Sequence, residues 1–381
     1  MRNFLLLLIT CFIPASCSVK QWEKSADGVI IRLKDKSPGA ARILKIEPVS
    51  DWIIHVAASP ERSLSDVKSL CVTVQQEPGP DFDVSEKGDS LLITTSKIKA
   101  MVSLANGAIT FRDENGKMLL RESERGGKSF KSISVEGTDG YSIRQIFDSP
   151  ADEAFYGLGQ HQSDEFNYKG LNESLYQYNT KVSVPFVVSG KNYGILWDNY
   201  SLTKFGDPRD YSQIDMFRLY DDEGKEGALT VTYYDLADTS RVFLEKREAR
   251  IDFENLETIK NLPADVHLAR SKVIWSGELE PSESGLYHFK LYYAGYTKLY
   301  LDNEPVVSER WRTAWNPNTY KFSRQLEKGK RYSVRLEWKP DGNVSYIGLK
   351  ALSPLSPEEQ GSLSLWSEMG EIGRASCRER V

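Results

Sequence analysis

The stretch TSKIKAMVSLANGAITFRDENGKMLL, residues 95–120, leaves little room for anything but antiparallel sheet. Ile98, Ala100, Val102 and Leu104 alternate with Lys97, Lys99, Met101 and Ser103, the two-residue period of a strand with one buried face. Asn106-Gly107 and Asn115-Gly116 then mark hairpins, because both residue types tolerate positive φ. Three consecutive antiparallel strands are expected. GVIIRLKD (28–35), WIIHVAAS (52–59) and LCVTVQQ (70–76) add further strands, and from about residue 28 to 225 no long apolar stripe of helical period occurs. A β-sandwich with one short helix is the expectation for this region.

A second all-β unit is expected from GALTVTYYD (227–235) to about Pro357. Its runs, KVIWSGELEPSESGLYHFKLYYAGYTKLYLDNEPVV, RYSVRLEWKP and SYIGLKAL, alternate and are joined by ESG, AG and DNE turns. Acidic YDDEGKEG (220–227) and Pro-containing LSPLSPEEQG (352–361) limit sheet continuation and so mark the boundaries. Strand-like SLSLWSEM follows, so the second unit reads as an insertion after which the chain returns to the first. The expected divisions are 1–17, 18–225, 226–357, 358–370 and 371–381.

The two ends carry separate signals. MRNFLLLLITCFIPASC has one basic residue, Arg2, an apolar run from Phe4 to Ile13 too short to span a bilayer, and small residues before a cysteine. It resembles a bacterial lipoprotein signal with Cys17 as the lipidated first mature residue, although Pro14 stands where an aliphatic residue is commoner. The alternative is an ordinary cleaved signal peptide. Either reading exports the protein, and a lipidated Cys17 would hold it at an outer-membrane or periplasmic membrane face. The tail EIGRASCRERV, residues 371–381, has no amphipathic period and can be back-translated into codons that resemble a common short-read sequencing adapter. The expectation is a reading frame that ran into adapter DNA, with the native protein cut at about Gly370; the alternative is a basic flexible terminus.

Cys11 leaves with either signal and Cys377 lies in the tail, so Cys71 is the one thiol left beside Cys17 and no internal disulfide framework is expected. His55, His161, His267 and His288 are scattered, with no H-E-x-x-H spacing and no paired Cys-x-x-Cys, so neither metal nor cofactor is expected. A formal net charge of -5 without a basic stripe argues against nucleic acid as partner. An aromatic share of 11%, with 19 Tyr and 8 Trp, leaves sugar contact open alongside core filling.

DEAFYGLGQHQSDEFNYKG (152–170) followed by SVPFVVSGKNYGILWDNYS (183–201) resembles the N-terminal domain of glycoside hydrolase family 31. Phe155-Tyr156-Gly157-Leu158-Gly159, Pro185-Phe186 and Gly194-Ile195-Leu196-Trp197-Asp198-Asn199 carry the likeness in order and spacing. Read as residues alone, the two glycines serve a turn or a close backbone approach. LTVTYYD and SGLYHFKLYYAGYTKLYLDNEPVV resemble the lectin-like β-sandwich module named from anthrax protective antigen. That combination is similar to bacterial exo-acting α-xylosidases that trim xyloglucan.

The resemblance implies an all-β chain: a galactose-mutarotase-like β-sandwich with an inserted protective-antigen-type β-sandwich. It implies a retaining α-glycosidase as parent, whose two catalytic carboxyl groups, about 5 Å apart, belong to a (β/α)8 barrel that follows this domain. The family's W-x-D-[MLI]-N-E nucleophile motif does not occur here, so no catalytic residue is expected and the chain by itself is expected to be inactive. Expected substrate contacts are Gln160, His161 and Asp164, beside Ser163 and Glu165, where a solvated loop is the competing reading. In SERWRTAWNPNTYKF, Arg310, Trp311, Arg312, Trp315 and Asn316 are expected in one polar-aromatic loop facing an oligosaccharide or polysaccharide with α-linked terminal sugars; a Trp there can equally plug a core. Asp198 is read as a turn cap. A free-standing carbohydrate-binding lipoprotein is the other class of function, and a mutarotase lacks a convincing His/Glu pair.

Overall fold

The computed structural model describes residues 20–64, 69–72, 79–124, 126–135, 137–161, 163, 165–177, 181–199, 201–264, 266–356, 362–371 and 379–380. Among these residues the chain is built almost wholly of strands, interrupted by 3-10 turns at Ile214–Met216, Thr258–Asn261 and Leu268–Arg270. Cys17 and Asp164 lie outside the described residues, as does most of the LCVTVQQ run. No described helix is long and apolar enough to cross a membrane.

Contacts divide the chain into two compact units, one of residues 1–145, 195–201 and 367–381, the other of residues 146–194 and 202–366. In the first unit, Trp22–Lys24, Val29–Arg32, Ile43–Ser50 and Ile53–Ser59 pair in sequence as antiparallel neighbours. Glu379–Arg380 extends that sheet, with Arg380 opposite His55 and Leu196. A five-stranded meander, Asp83–Lys87, Ser90–Thr94, Ile98–Ser103, Ile109–Asp113 and Met118–Arg121, forms a second sheet. Ile98, Ala100, Val102 and Leu104 are buried, as their spacing requires.

The hairpin signals act differently from expectation. Gly107 and Gly116 take positive φ, whereas Asn106 and Asn115 do not. The connections close over Ser103 to Ala108 and Asp113 to Lys117, longer than two residues, so only the glycine needs the left-handed region. Gly107 is also tight in space: a Cβ there would stand 2.6 Å from Leu33 Cδ1. Farther on, Glu122 and Lys128 form a buried ion pair at 2.5 Å.

In the second unit, Phe155–Gln160 pairs with Val182–Ser189 and Glu173–Leu175 with Thr203–Phe205. Two sheets follow. One runs Ser212–Gln213, Ile347–Leu352, Gly285–Tyr293, Asn318–Leu326, with Ile251–Phe253 also on Ile347–Leu352. The other runs Val242–Glu248, Leu229–Asp235, Ser271–Glu280, Tyr332–Lys339, Gly295–Leu301, Glu304–Arg312, with Arg218–Tyr220 on Ser271–Glu280. Ser212–Gln213 and Arg218–Tyr220 precede most of the acidic turn at 220–227, and Ile214, Phe217 and Leu219 join Trp275, Phe289 and Trp338 in one buried core. The DNE turn fits its residues: Asp302 and Asn303 both take positive φ between the paired Leu301 and Glu304, a two-residue hairpin. The backbone of Ser362–Glu371 is also a strand.

Candidate functional site

The FYGLG stretch shows why its glycines are needed. Gly157, Leu158 and Gly159 all take positive φ, and the register to Val182–Ser189 shifts between the two glycines. A Cβ on Gly157 would stand 2.6 Å from Phe186 O, and one on Gly159 would stand 2.2 Å from Val182 O. The bulge turns the Leu158 carbonyl toward His161, whose Nε2–H donates to it at 2.8 Å. His161 Nδ1 is then left 3.7 Å from Glu173 Oε1. Burial pushes the His161 imidazole below its ordinary value, with Glu173 opposing, which favours the neutral ring.

Glu173 is the anchor of this site. Lys181 Nζ lies 2.8 Å from Oε1 and Lys321 Nζ lies 2.7 Å from Oε2. Burial pushes the Glu173 carboxyl up, but Lys321 and Lys181 outweigh it and hold the group at about 2. Around this carboxylate opens a cavity of ≈ 400 Å³ whose walls include His161, Tyr176, Glu254, Lys290, Tyr292 and Asn318. Two salt links brace its rim: Arg209 grips Asp207 at 2.9 and 2.7 Å, and Lys204 meets Asp210 at 2.9 Å. Tyr211 donates to Asn172 Oδ1 at 2.7 Å. Burial pushes the Lys290 ammonium below the usual lysine range.

Of the residues picked out by sequence, His161 and Ser163 line this cavity, and Gln160 is exposed at the end of its strand. Among the described residues, Glu165 Oε2 is a buried carboxylate oxygen without a hydrogen bond. Asp198 is buried.

The expected polar-aromatic loop is corrected by the structure: Arg310, Trp311 and Arg312 belong to the strand Glu304–Arg312 rather than to a loop. Alternation along a strand therefore sends Trp311 to one face and its two arginine neighbours to the other. Trp311 sits opposite Tyr296 with ring centroids 6.3 Å apart, while Arg310 lies 4.2 Å over the Tyr320 ring. Trp315 and Asn316 are in the loop that follows, which Ala314 N–H ties to Asp341 Oδ2 at 2.8 Å. Trp315 is 94% exposed and Trp311 47%. A nearly bare indole fills no core; what remains is an aromatic strip of Tyr296 and Trp311, with Trp315 on the adjoining loop.

Sequence reasoning passed over Glu173, Lys181, Glu254, Lys290 and Lys321. A signal existed for Lys290: in YHFKLYY the buried residues Tyr287, Phe289, Leu291 and Tyr293 alternate with His288, Lys290 and Tyr292, so the second face of that strand is polar. Among the described residues no group of three His, Cys, Asp or Glu side chains could hold a metal ion.

Residues 43–205 match the glycosyl hydrolase 31 N-terminal galactose mutarotase-like domain, and residues 224–347 match the PA14 domain. An α-xylosidase of Saccharolobus solfataricus is 32% identical over 173 residues, 42% of this chain and 22% of that protein. An uncharacterised family 31 glucosidase of Pseudescherichia vulneris is 27% identical over 192 residues, 45% of this chain and 36% of that protein. The crystal structure of a family 31 α-xylosidase from Xanthomonas citri is similar at TM-score 0.83 and 39% identity, over 94% of this chain and 38% of that one. The chain thus spans well under half the length of each of these relatives. It carries a glycosyl hydrolase family 31 N-terminal galactose mutarotase-like domain with a PA14 domain after it, and α-xylosidases of that family are among its homologues.

Proposed function

We propose that this chain is the non-catalytic N-terminal part of an exported retaining α-glycosidase that acts on oligosaccharides with α-linked terminal sugars, xyloglucan oligosaccharides foremost. The observation that carries this reading is the likeness, over 94% of this chain, to a Xanthomonas citri α-xylosidase of which it covers 38%. An exposed apolar row supports it: Val182, Val184, Phe186 and Val188, alternate residues on one strand, are 40–46% exposed, the pattern of a sheet face that packs against more protein. The two catalytic carboxylates would then come from the rest of the parent, and this chain alone would not hydrolyse glycosides. Its aromatic strip would contact the glycan, and a lipid on Cys17 would hold the enzyme at a membrane face.

The test is to sequence the source DNA across the codons for Glu368 to Val381 and beyond. A frame that continues from LWSEMG into barrel strands with the nucleophile motif is the expected result, and the full product should release xylose from xyloglucan oligosaccharides. A stop codon after RERV in clean DNA rejects the hydrolase reading for this gene product. A second reading, a free-standing carbohydrate-binding surface lipoprotein, is favoured by one observation: Trp315, exposed at 94%, sits in a loop pinned to the module and needs no further domain to meet a glycan.

A further inference from the structure

Three lysines stand in a row across one sheet of the module. Lys290 lies at the same register position as Lys321 on one neighbouring strand and as Lys350 on the other, so the three side chains share a face. The outer two are held in ion pairs, Lys321 by Glu173 at 2.7 Å and Lys350 by Glu254 Oε2 at 3.1 Å. An ion pair favours the protonated amine and withholds the lone pair that a nucleophile needs. Among the described residues Lys290 has neither a hydrogen bond nor an ion pair, and its Nζ stands 5.4 Å from the centre of the Tyr211 ring.

Burial acts first on the central amine and favours its neutral form. Lys350 and Lys321 push the same way, Glu254 and Asp210 oppose them, and the balance falls below the usual lysine range. Both opposing carboxylates are shared, Glu254 with Lys350 and Asp210 with Lys204 at 2.9 Å. Elsewhere in the wall Glu173 is taken by Lys181 and Lys321, and Asp207 by Arg209. Lys290 is half-buried rather than sealed. It lines the ≈ 400 Å³ cavity together with Tyr176, which is itself 48% exposed, so the cavity communicates with solvent. A desolvated amine beside other cationic groups is the setting in which a lysine attacks carbonyl carbon.

We propose that Lys290 is a covalent modification site, the amine of this chain that condenses most readily with small aldehydes to form an imine. The Nζ lone pair forms a bond to the carbonyl carbon while the carbonyl π pair moves onto oxygen, which takes up a proton as nitrogen gives one up. The carbinolamine then loses water to leave C=N. One amine and one aldehyde give one imine and one water, with nothing oxidised or reduced. At ≈ 400 Å³ the cavity lies within the range of small-molecule sites and accommodates an aldehyde as large as an open-chain aldose. The inference does not rest on the hydrolase reading, because every residue it uses lies in one compact unit of this chain.

Reductive trapping on the full chain tests it. The folded protein is treated with glycolaldehyde and sodium cyanoborohydride, which reduces the imine to a stable secondary amine, and rates are read site by site by peptide mapping, with the exposed Lys87 and Lys117 as internal references. At about pH 7 Lys290 should be trapped at least about threefold faster than either reference, and the ratio should fall at about pH 10, where exposed lysines in general begin to lose their protons as well. In concentrated urea the preference should vanish, because burial and the lysine row vanish with the fold. Trapping of Lys290 no faster than that of the references, a ratio that does not change with pH, or a preference that survives in urea would overturn the proposal. All three comparisons are made on the unaltered chain, so none depends on a variant that must fold.

Discussion

Lys321 Nζ lies 2.7 Å from Glu173 Oε2, joining two strands that are 148 residues apart in the chain. The same ammonium donates to Asn172 O at 2.6 Å, so a lysine ties the segment that follows the FYGLG bulge to the PA14-type sheet. The link is charged and buried, and its strength depends on pH.

The Glu173 carboxyl is held at about 2 in the folded chain against an ordinary 4.5. A depressed carboxylate contributes stability that is fully present above its unfolded value and is lost as pH falls from about 4.5 toward 2. At about 1.4 kcal/mol per pH unit the contribution is on the order of 3 kcal/mol. Glu173→Gln should lose about that much at pH 6, and its urea midpoint should fall less than that of the unaltered chain between pH 6 and pH 3. Parallel losses in the two proteins would show that Glu173 does not carry this acid sensitivity.

Gly159 has φ +99 and no space for a Cβ, which would sit 2.2 Å from Val182 O. Gly159→Ala should therefore cost about 2–4 kcal/mol, through strain and the displaced neighbouring strand. Gly116 provides the control: φ is +86 but nothing lies within 4 Å, so Gly116→Ala should cost only the conformational share, about 1 kcal/mol. Thermal melts of both variants check this, and equal melting temperatures would remove the close approach as the reason for the FYGLG glycines.

These contrasts show what the chain discloses before folding. Period-two alternation located Ile98, Ala100, Val102 and Leu104 in the core, because a strand with one buried face leaves no other arrangement. The all-β architecture was legible for the same reason. The cavity was not: Glu173, Glu254, Lys290 and Lys321 are ordinary charged residues whose meaning comes from register across strands far apart in sequence. SERWRTAW looked like a loop because its polar residues mask alternation, yet pairing of Tyr296 with Trp311 extends the strand through Arg312.

Glu122 and Lys128 are both buried, and Glu122 also accepts from Ile109 N–H at 3.2 Å. Burial pushes the Glu122 carboxyl upward against the opposing pull of Lys128. Lys128→Met removes that pull and leaves a buried acid without its partner, which should cost about 3–5 kcal/mol. Adding Glu122→Leu to Lys128→Met should recover much of the loss, because the desolvation penalty leaves with the second charge. Denaturant unfolding of both variants checks the sign, and a double variant less stable than the single one would refute it.

The aromatic strip separates binding from stability. Trp315 is almost fully exposed, so Trp315→Ala should shift stability by no more than about 0.5 kcal/mol. Trp311 packs at 6.3 Å from Tyr296, and Trp311→Ala should lose about 1 kcal/mol with that ring contact. If indole faces hold sugar rings, each variant should weaken binding to xyloglucan by about tenfold, read as lost retardation in affinity electrophoresis. Arg312 leaves the opposite side of the strand from Trp311, with Nη1 turned back to Trp311 O at 3.4 Å, so Arg312→Ala should change retardation less than either tryptophan. Unchanged retardation in both tryptophan variants would mean that the strip does not meet the glycan, and loss in the arginine variant alone would place the contact on the other face of the sheet.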